Sequence, residues 1–240
     1  MKIEFFTKQA RKVLPRKRCG AVIVAAGTAS RMGGIDKVMA PLNGEPMIVR
    51  TVRTFQQSDV IDEIVVVTRE DLIREIMELC TDFPKVKAVV AGGRSRQESV
   101  QAGVHALSEK MELVAVHDGA RPLVTWDVID RVVRGANTYG AAVPGVAVKD
   151  TIKQIKGGIV SGTPERDKLR AIQTPQVFDF DLLCAALKKA QQEGTVVTDD
   201  SLAVENLGMS VKIVTGDERN MKVTTPMDLK LAQMLLEEEK

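Results

Sequence analysis

Apolar, β-branched runs alternate with amphipathic stretches over most of this chain. Runs near 21–26, 63–68, 86–91, 112–117 and 141–148 are rich in alanine, valine and isoleucine with little polar interruption, as expected of strands buried on both faces of a parallel sheet. Apolar positions at helical spacing predict helices near 46–57, 70–80, 97–108 and 126–138. The pattern predicts an α/β fold, a Rossmann-like, mostly parallel sheet flanked by helices on both faces. Such sheets bind ligands beyond the carboxyl ends of their strands, so the loops that follow the runs are where chemistry is to be sought.

The alternation breaks after Val148. Lys149–Ile155, a Lys156-Gly157-Gly158 turn and Ile159–Thr163 predict a projecting β-hairpin, and the chain returning through Arg166 towards Pro175 completes an arm placed at 149–172. An isolated hairpin is marginal in water, so this one is either an ordinary surface hairpin or packs on a second copy of the chain as a homodimer. Downstream, Asp179–Gln192 predicts a helix N-capped by Asp179, and Thr198-Asp199-Asp200-Ser201 a second capped helix start. Val211–Val214 reads as a strand, and Thr225-Pro226-Met227-Asp228 opens a final helix with Thr225 as cap and Pro226 at the first position. Residues 1–18 read as a basic leader and 19–240 as one domain.

Composition narrows the partner. A net charge of +2 on 240 residues gives no bulk attraction to nucleic acid, and an aromatic content of 3% leaves few platforms for stacking bases. The leader lacks the apolar stretch of a signal peptide, and no run suits a membrane span, so no membrane partner is expected. Cys19, Cys80 and Cys184 are odd in number, widely separated and form no CxxC pair, which suggests neither a disulfide framework nor a zinc site and fits a reducing cytoplasm. With two histidines, His105 and His117, chemistry must rest on Lys, Arg and Asp; His117 reads as a structural strand-end residue and His105 as a helix-surface one.

The first strand runs into Ala25-Ala26-Gly27, small residues that let backbone N–H groups approach phosphate oxygens, followed by the cations Arg31 and Lys37. The loop lacks two of the three Rossmann glycines, and no Gly-Lys-Ser/Thr closes a Walker loop, so a dehydrogenase or a P-loop ATPase is disfavoured. A plain glycine turn with exposed basic residues is the alternative for the loop alone. Two further loops, Ala91-Gly92-Gly93 and His117-Asp118-Gly119-Ala120-Arg121-Pro122, follow strands and converge on the same rim.

In order and spacing these loops resemble the 2-C-methyl-D-erythritol 4-phosphate cytidylyltransferase family from Gly20 onward. The likeness is carried by Ala25-Ala26-Gly27 with Arg31-Met32, Lys37, Ala91-Gly92-Gly93 with Ser99-Val100, His117 to Pro122, Asp150-Thr151-Ile152-Lys153, Gln173-Thr174-Pro175-Gln176, Thr198-Asp199-Asp200 and Lys222-Val223-Thr224. The resemblance implies an enzyme of isoprenoid biosynthesis that joins CTP to a sugar-alcohol phosphate with release of pyrophosphate, using Mg2+ or another divalent cation, in a dimer whose arm reaches the partner's active site. It implies that Arg31 and Lys37 stabilise the transition state, and that Lys222 and Arg166 orient the second substrate's phosphate. Arg166 and Thr151 would act from the other subunit. Ala25, Ala26, Gly27, Gly92, Gly93, Ser99, Asp118 and Gly119 would face CTP, and Arg121, Thr151, Thr174 and Thr198 the polyol phosphate. The metal would be held mainly by CTP phosphates, with Asp118 its candidate side-chain ligand.

An anionic nucleophile needs no strong general base, which suits a chain poor in histidine. Taken singly, Asp118 and Arg121 also read as a local turn salt bridge, Thr198 as a helix cap and Lys222 as a surface lysine. The chain departs from the family pattern at Ala29, where glycine is usual, at Asp36-Lys37-Val38, where Pro-Lys-Gln is usual, and at Gly119 in place of alanine. Asp36 beside Lys37 would weaken its pull on phosphate. The competing readings are a sister cytidylyltransferase for another polyol phosphate such as ribitol 5-phosphate, and a catalytically weakened nucleotide-binding regulatory protein.

Overall fold

Successive side chains of a strand point to opposite faces of its sheet, and here both sets are apolar. The computed structural model describes residues 15–27 and 37–238. In chain order these form β1 (Cys19–Val24), β2 (Pro41–Leu42), β3 (Glu45–Pro46), α1 (Met47–Gln57), β4 (Glu63–Thr68), α2 (Ile73–Leu79), β5 (Val86–Ala91), α3 (Arg96–Ala106), β6 (Leu113–Asp118) and α4 (Trp126–Tyr139). There follow β7 (Ala141–Ala147), β8 (Gln154–Lys156), β9 (Ile159–Gly162), β10 (Arg170–Ile172), β11 (Gln176–Asp179), α5 (Phe180–Gln192), α6 (Asp200–Glu205), β12 (Lys212–Thr215) and α7 (Pro226–Glu237). Ile64 and Val66 of β4 join a core with α1, α2 and α4, whereas Val65 and Val67 join one with α3, α5 and α6. That two-sided burial is why the strands read as uninterrupted apolar runs.

The eight-stranded sheet has the order β10-β7-β11-β6-β1-β4-β5, with β12 also paired to β7. β1 runs parallel to both β4 and β6, and β4 parallel to β5, so four carboxyl ends open on one rim. A third cluster, Leu42, Met47, Leu123, Val223, Ala232 and Leu236, seats α7 and the loop before it. α3 packs unusually close to the sheet: a Cβ at Gly103 would stand 2.3 Å from Val22 Cγ1 and 2.7 Å from Val67 Cγ2.

The helices and strands expected up to residue 148 are present, with a 3-10 turn at Glu70–Leu72 ahead of α2. The second half differs from expectation in particular places. β11 was not foreseen; it has four residues, too few for periodicity to declare, and lies antiparallel between β6 and β7. Residues 170–172, expected in the arm, are β10 and pair with β7 in the main sheet. The projecting hairpin is β8 and β9, turning at Gly157 and Gly158 with φ of 58° and 81°. Its Ile155 and Ile159 are 70% and 74% exposed, so the described chain itself does not cover them.

Capping also sorts itself out. Asp179 stands at the N-cap of α5 but makes no capping bond, because its carboxylate pairs with Lys17 Nζ at 2.9 Å. α6 is capped by Asp199, whose Oδ1 accepts from Leu202 N at 3.0 Å, and not by Thr198. Thr225 and Asp228 form a capping box on α7. Arg16, in the basic leader, pairs with Asp62 at 2.9 Å, so the described end of that segment is tied to the body. Among the described residues no helix is long and apolar enough to cross a membrane.

Candidate active site

The four parallel strand ends enclose a cleft of about 580 Å³. β1 delivers Ala25, Ala26 and Gly27; β4 delivers Thr68; the turn after β5 delivers Gly92 and Gly93; β6 delivers Asp118; and Lys37, Ser99 and Lys222 complete the lining. The β1 and β5 loops touch: a Cβ on Gly92 would lie 2.4 Å from Ala26 Cβ and 2.8 Å from Ser99 Oγ, so only glycine leaves this wall its shape. Ser99 Oγ donates to Ser95 O at 2.8 Å and accepts from Gly93 N at 3.1 Å, which commits the hydroxyl first to holding the loop.

Asp118 is the electrostatic centre. Lys222 Nζ lies 2.9 Å from its Oδ2, and Arg96 Nε and Arg121 Nε each stand 3.6 Å from its carboxylate. Burial opposes the charged form of Asp118, but Lys222, Arg96 and Arg121 outweigh it and hold the carboxyl well below the usual range. Lys222 is brought there by the loop before α7: Arg121 Nη1 donates to Asn220 O at 2.8 Å, and Val223 N donates to Ala120 O at 2.8 Å. Asn220, fully buried, donates in turn to Thr174 O at 2.8 Å.

Beneath this cluster His117 is buried and structural, as expected. Its Nε2 lies 3.3 Å from Arg121 O, a carbonyl that only accepts, so the proton sits on Nε2. Nδ1 therefore accepts from Thr174 Oγ1 at 3.1 Å, and that hydroxyl accepts from Asp118 N at 3.1 Å. A second imidazole proton would break this chain, and burial pushes the His117 pKa down to about 3. Thr174 thus supports Asp118 from behind the cleft wall.

The remaining predicted residues fall elsewhere. Gly119 is buried behind the wall, its N–H donating to Val24 O at 2.8 Å. A Cβ there would come within 3.1 Å of Ile48 Cδ1, so the usual alanine would fit with a small adjustment. Arg121 reaches the site through Asp118 without lining the cleft, and Thr198 does not line it either. Thr151 and Arg166 are exposed on or beside the arm, Arg166 Nη1 donating to Lys149 O at 3.1 Å. Arg31, together with Ala29 and Asp36, lies outside the described residues.

Sequence reasoning passed over Arg96, which lines the cleft between Ser95 and Ser99. Its guanidinium forks onto Asp200, with Nη1 at 2.9 Å from Oδ1 and Nη2 at 2.7 Å from Oδ2. Burial raises the Asp200 carboxyl above the usual carboxylate range, and the two N–H groups of the Arg96 fork oppose that rise. One signal was available: a cation in the first turn of a helix opposes the helix dipole, so Arg96 needed a reason to be there.

The profile of the 2-C-methyl-D-erythritol 4-phosphate cytidylyltransferase family matches residues 19–238. The protein of that name from Symbiobacterium thermophilum is 45% identical over 91% of this chain and 92% of its own length. That from Halalkalibacterium halodurans is 46% identical over 90% and 96%. Among solved structures, the 4-diphosphocytidyl-2C-methyl-D-erythritol synthase of Anaerococcus prevotii superposes with a TM-score of 0.85 at 31% identity, covering 93% of this chain and 98% of that one. The Thermus thermophilus 2-C-methyl-D-erythritol 4-phosphate cytidylyltransferase gives 0.74 at 32% identity over 92% and 99%. The profile match over residues 19–238, with these identities over nine-tenths of both chains, makes the chain a member of the 2-C-methyl-D-erythritol 4-phosphate cytidylyltransferase family.

Proposed function

We propose that this chain transfers the CMP unit of CTP to 2-C-methyl-D-erythritol 4-phosphate, giving the CDP-methylerythritol and pyrophosphate for isoprenoid precursor synthesis. The observation that carries the site assignment is that Lys37, Lys222 and Asp118 line one cleft together with the Gly92-Gly93 wall. A phosphate oxygen of the acceptor attacks the α-phosphorus of CTP; the bond from that phosphorus to the bridging oxygen breaks, and pyrophosphate leaves with the electron pair. The attacking oxygen carries no proton to remove, so the task is to neutralise converging anions and hold them in line.

Lys37, with Arg31, stabilises charge on the reacting phosphoryl group and the leaving pyrophosphate. Lys222 turns from Asp118 to the acceptor phosphate, and Arg121 and Arg96 keep Asp118 ionised when it does. The Ala25 to Gly27 and Gly92-Gly93 backbones seat the nucleotide, and Thr174 fixes Asp118. Among the described residues no three acidic, histidine or cysteine side chains converge as a metal cage. One deep carboxylate beside a triphosphate suits Mg2+, which takes one or two carboxylates and completes its shell with phosphate and water. Asp118 would hold it, and the ion would supply charge neutralisation to the phosphates.

Arg166 and Thr151 fit an arm that crosses to a second copy, which would bring Arg166 to the partner's acceptor phosphate and cover Ile155 and Ile159. Unbridged cysteines fit a cytoplasmic setting. Pyrophosphate release from CTP and Mg2+ tests the reading, with methylerythritol phosphate and ribitol phosphate as rival acceptors; release with ribitol phosphate alone would transfer the chain to the sister activity, and release with neither would leave the regulatory reading. Mixed Arg166→Ala and Lys222→Ala subunits should regain activity on exchange, and no recovery despite exchange would refute the crossover.

A further inference from the structure

We propose that Arg96 is a positioning residue, which through its fork onto Asp200 registers the acceptor-side loop at Thr198 against the nucleotide-side wall. The proposal rests on the functional reading above and adds to it a link between the two halves of the site. Arg96 is the first residue of α3, one place beyond the Ser95 cap and within the turn that Ser99 and Gly93 close. Asp200 is the first residue of α6, two places beyond Thr198. The bidentate pair therefore joins chain segments 104 residues apart in sequence, Arg96 from the cleft lining and Asp200 from the buried start of α6 beside Thr198.

The acceptor-side loop needs such an anchor. Thr195 N still donates to Ala190 O, but among the described residues no hydrogen bond is made by Val196, Val197 or Thr198. The next fixed points are Asp199 and Asp200. Gln176 Oε1 accepts from the N–H groups of Asp200 and Ser201, Gln176 Nε2 donates to Asp199 Oδ2, and Arg96 grips the Asp200 carboxylate. Gln176 belongs to β11 and ties α6 to the sheet. Among the described residues Arg96 is the hydrogen-bonding side chain that ties it to the wall that carries Gly93 and Ser99, and its Nε faces Asp118 at 3.6 Å. Asp200 is 1% exposed, so its carboxylate cannot turn to water if the fork is lost, and α6 must shift to solvate it. A guanidinium does this work because its planar fork fixes direction as well as distance, which an ammonium cannot.

The test compares wild type with Arg96→Lys, which keeps the charge and loses the fork, and with Asp200→Asn, which keeps the shape and loses the charge. Asp200→Glu serves as the partner-side variant if Asp200→Asn does not fold. Both substrates are titrated in the pyrophosphate-release assay, CTP binding is measured by calorimetry, and amide exchange is followed over 195–202. The expected result is a rise of about tenfold to a hundredfold in KM for the polyol phosphate, with CTP affinity held within about twofold. Amide exchange quickens in 195–202 and is unchanged at the start of α3. Equal weakening of both substrates, or a lowered Tm with unchanged kinetic constants, would overturn the proposal, and so would unchanged exchange. A wild type that releases no pyrophosphate refutes the functional reading, and with it this proposal, before any variant is compared.

Discussion

Asp118→Asn is the sharpest test of the charge arrangement, because one substitution removes the shared counter-charge of three cations and little volume. The cost falls unequally on those cations. Lys222 is 41% exposed and can turn to solvent, and Arg96 retains Asp200. Arg121 is 12% exposed and keeps only its bond to Asn220 O, so it bears most of the loss. An uncompensated buried charge costs about 3–5 kcal/mol, and that remaining bond puts the expectation at the lower end, about 3 kcal/mol. For a domain of this size that is a fall in Tm of roughly 6–12 °C.

The acid limb gives an independent reading of the same substitution. The folded Asp118 carboxyl titrates below its unfolded value, so its contribution is present above pH about 4 and is lost as pH falls towards the folded value. Over that span the unfolded chain binds a proton that the native chain does not. Chemical denaturation as a function of pH should therefore show an acid limb shallower by one proton in Asp118→Asn, about 1.4 kcal/mol per pH unit. Pyrophosphate should also raise the variant's Tm more than the wild type's, because the orphaned cations gain an anion. An unchanged Tm together with an unchanged acid limb would refute the reasoning.

Three further outcomes are expected. Gly92→Ala should raise KM for CTP by about tenfold or more, since its Cβ must push Ala26 and Ser99 apart; an unaltered KM would show that the wall yields freely. Lys37→Ala should lower kcat more than CTP affinity, and equal losses would mean that it acts in ground-state binding. His117, held neutral with a pKa of about 3, binds its proton in the unfolded chain first as pH falls below about 6.5. Its share of stability should then decline by about 1.4 kcal/mol per pH unit down to that value, a slope that His117→Gln should lack in urea titrations between pH 4 and 6.

The strands that declared themselves in sequence were those buried on both faces, because apolar side chains fill successive positions through the middle of β1, β4 and β6, with polar residues only at the ends of β4 and β6. β11 stayed hidden since its pattern is set by its neighbours: Gln176 faces α6 and spends its amide there, and only Val177 and Phe178 look strand-like. The rim was legible for a topological reason, because small and charged residues that follow parallel strands must collect at one edge. Arg96 and Asp200 were not, since an ion pair between distant segments leaves no local spacing to read. Thr198 shows the opposite hazard: beside Asp199 and Asp200 it has the look of a cap, yet Asp199 reaches the free N–H of Leu202 instead.

The cluster around Asp118 holds Arg96, Arg121 and Lys222 against Asp118 and Asp200, three cations to two carboxylates. Lys37, Arg69 and Arg94 add further cations to the cleft lining, and Glu70 one more carboxylate. Had the carboxylates matched the cations, an incoming triphosphate would need to displace a closed set of ion pairs; had they been absent, buried arginines would cost several kcal/mol each before any ligand arrived. The excess sits where it is cheapest to keep and easiest to use, on the half-exposed Lys222, while the deeper Arg121 is matched. A site built in this way is folded and charged before substrate binds, and the cation we propose for the second substrate is the one of the three around Asp118 most exposed to solvent.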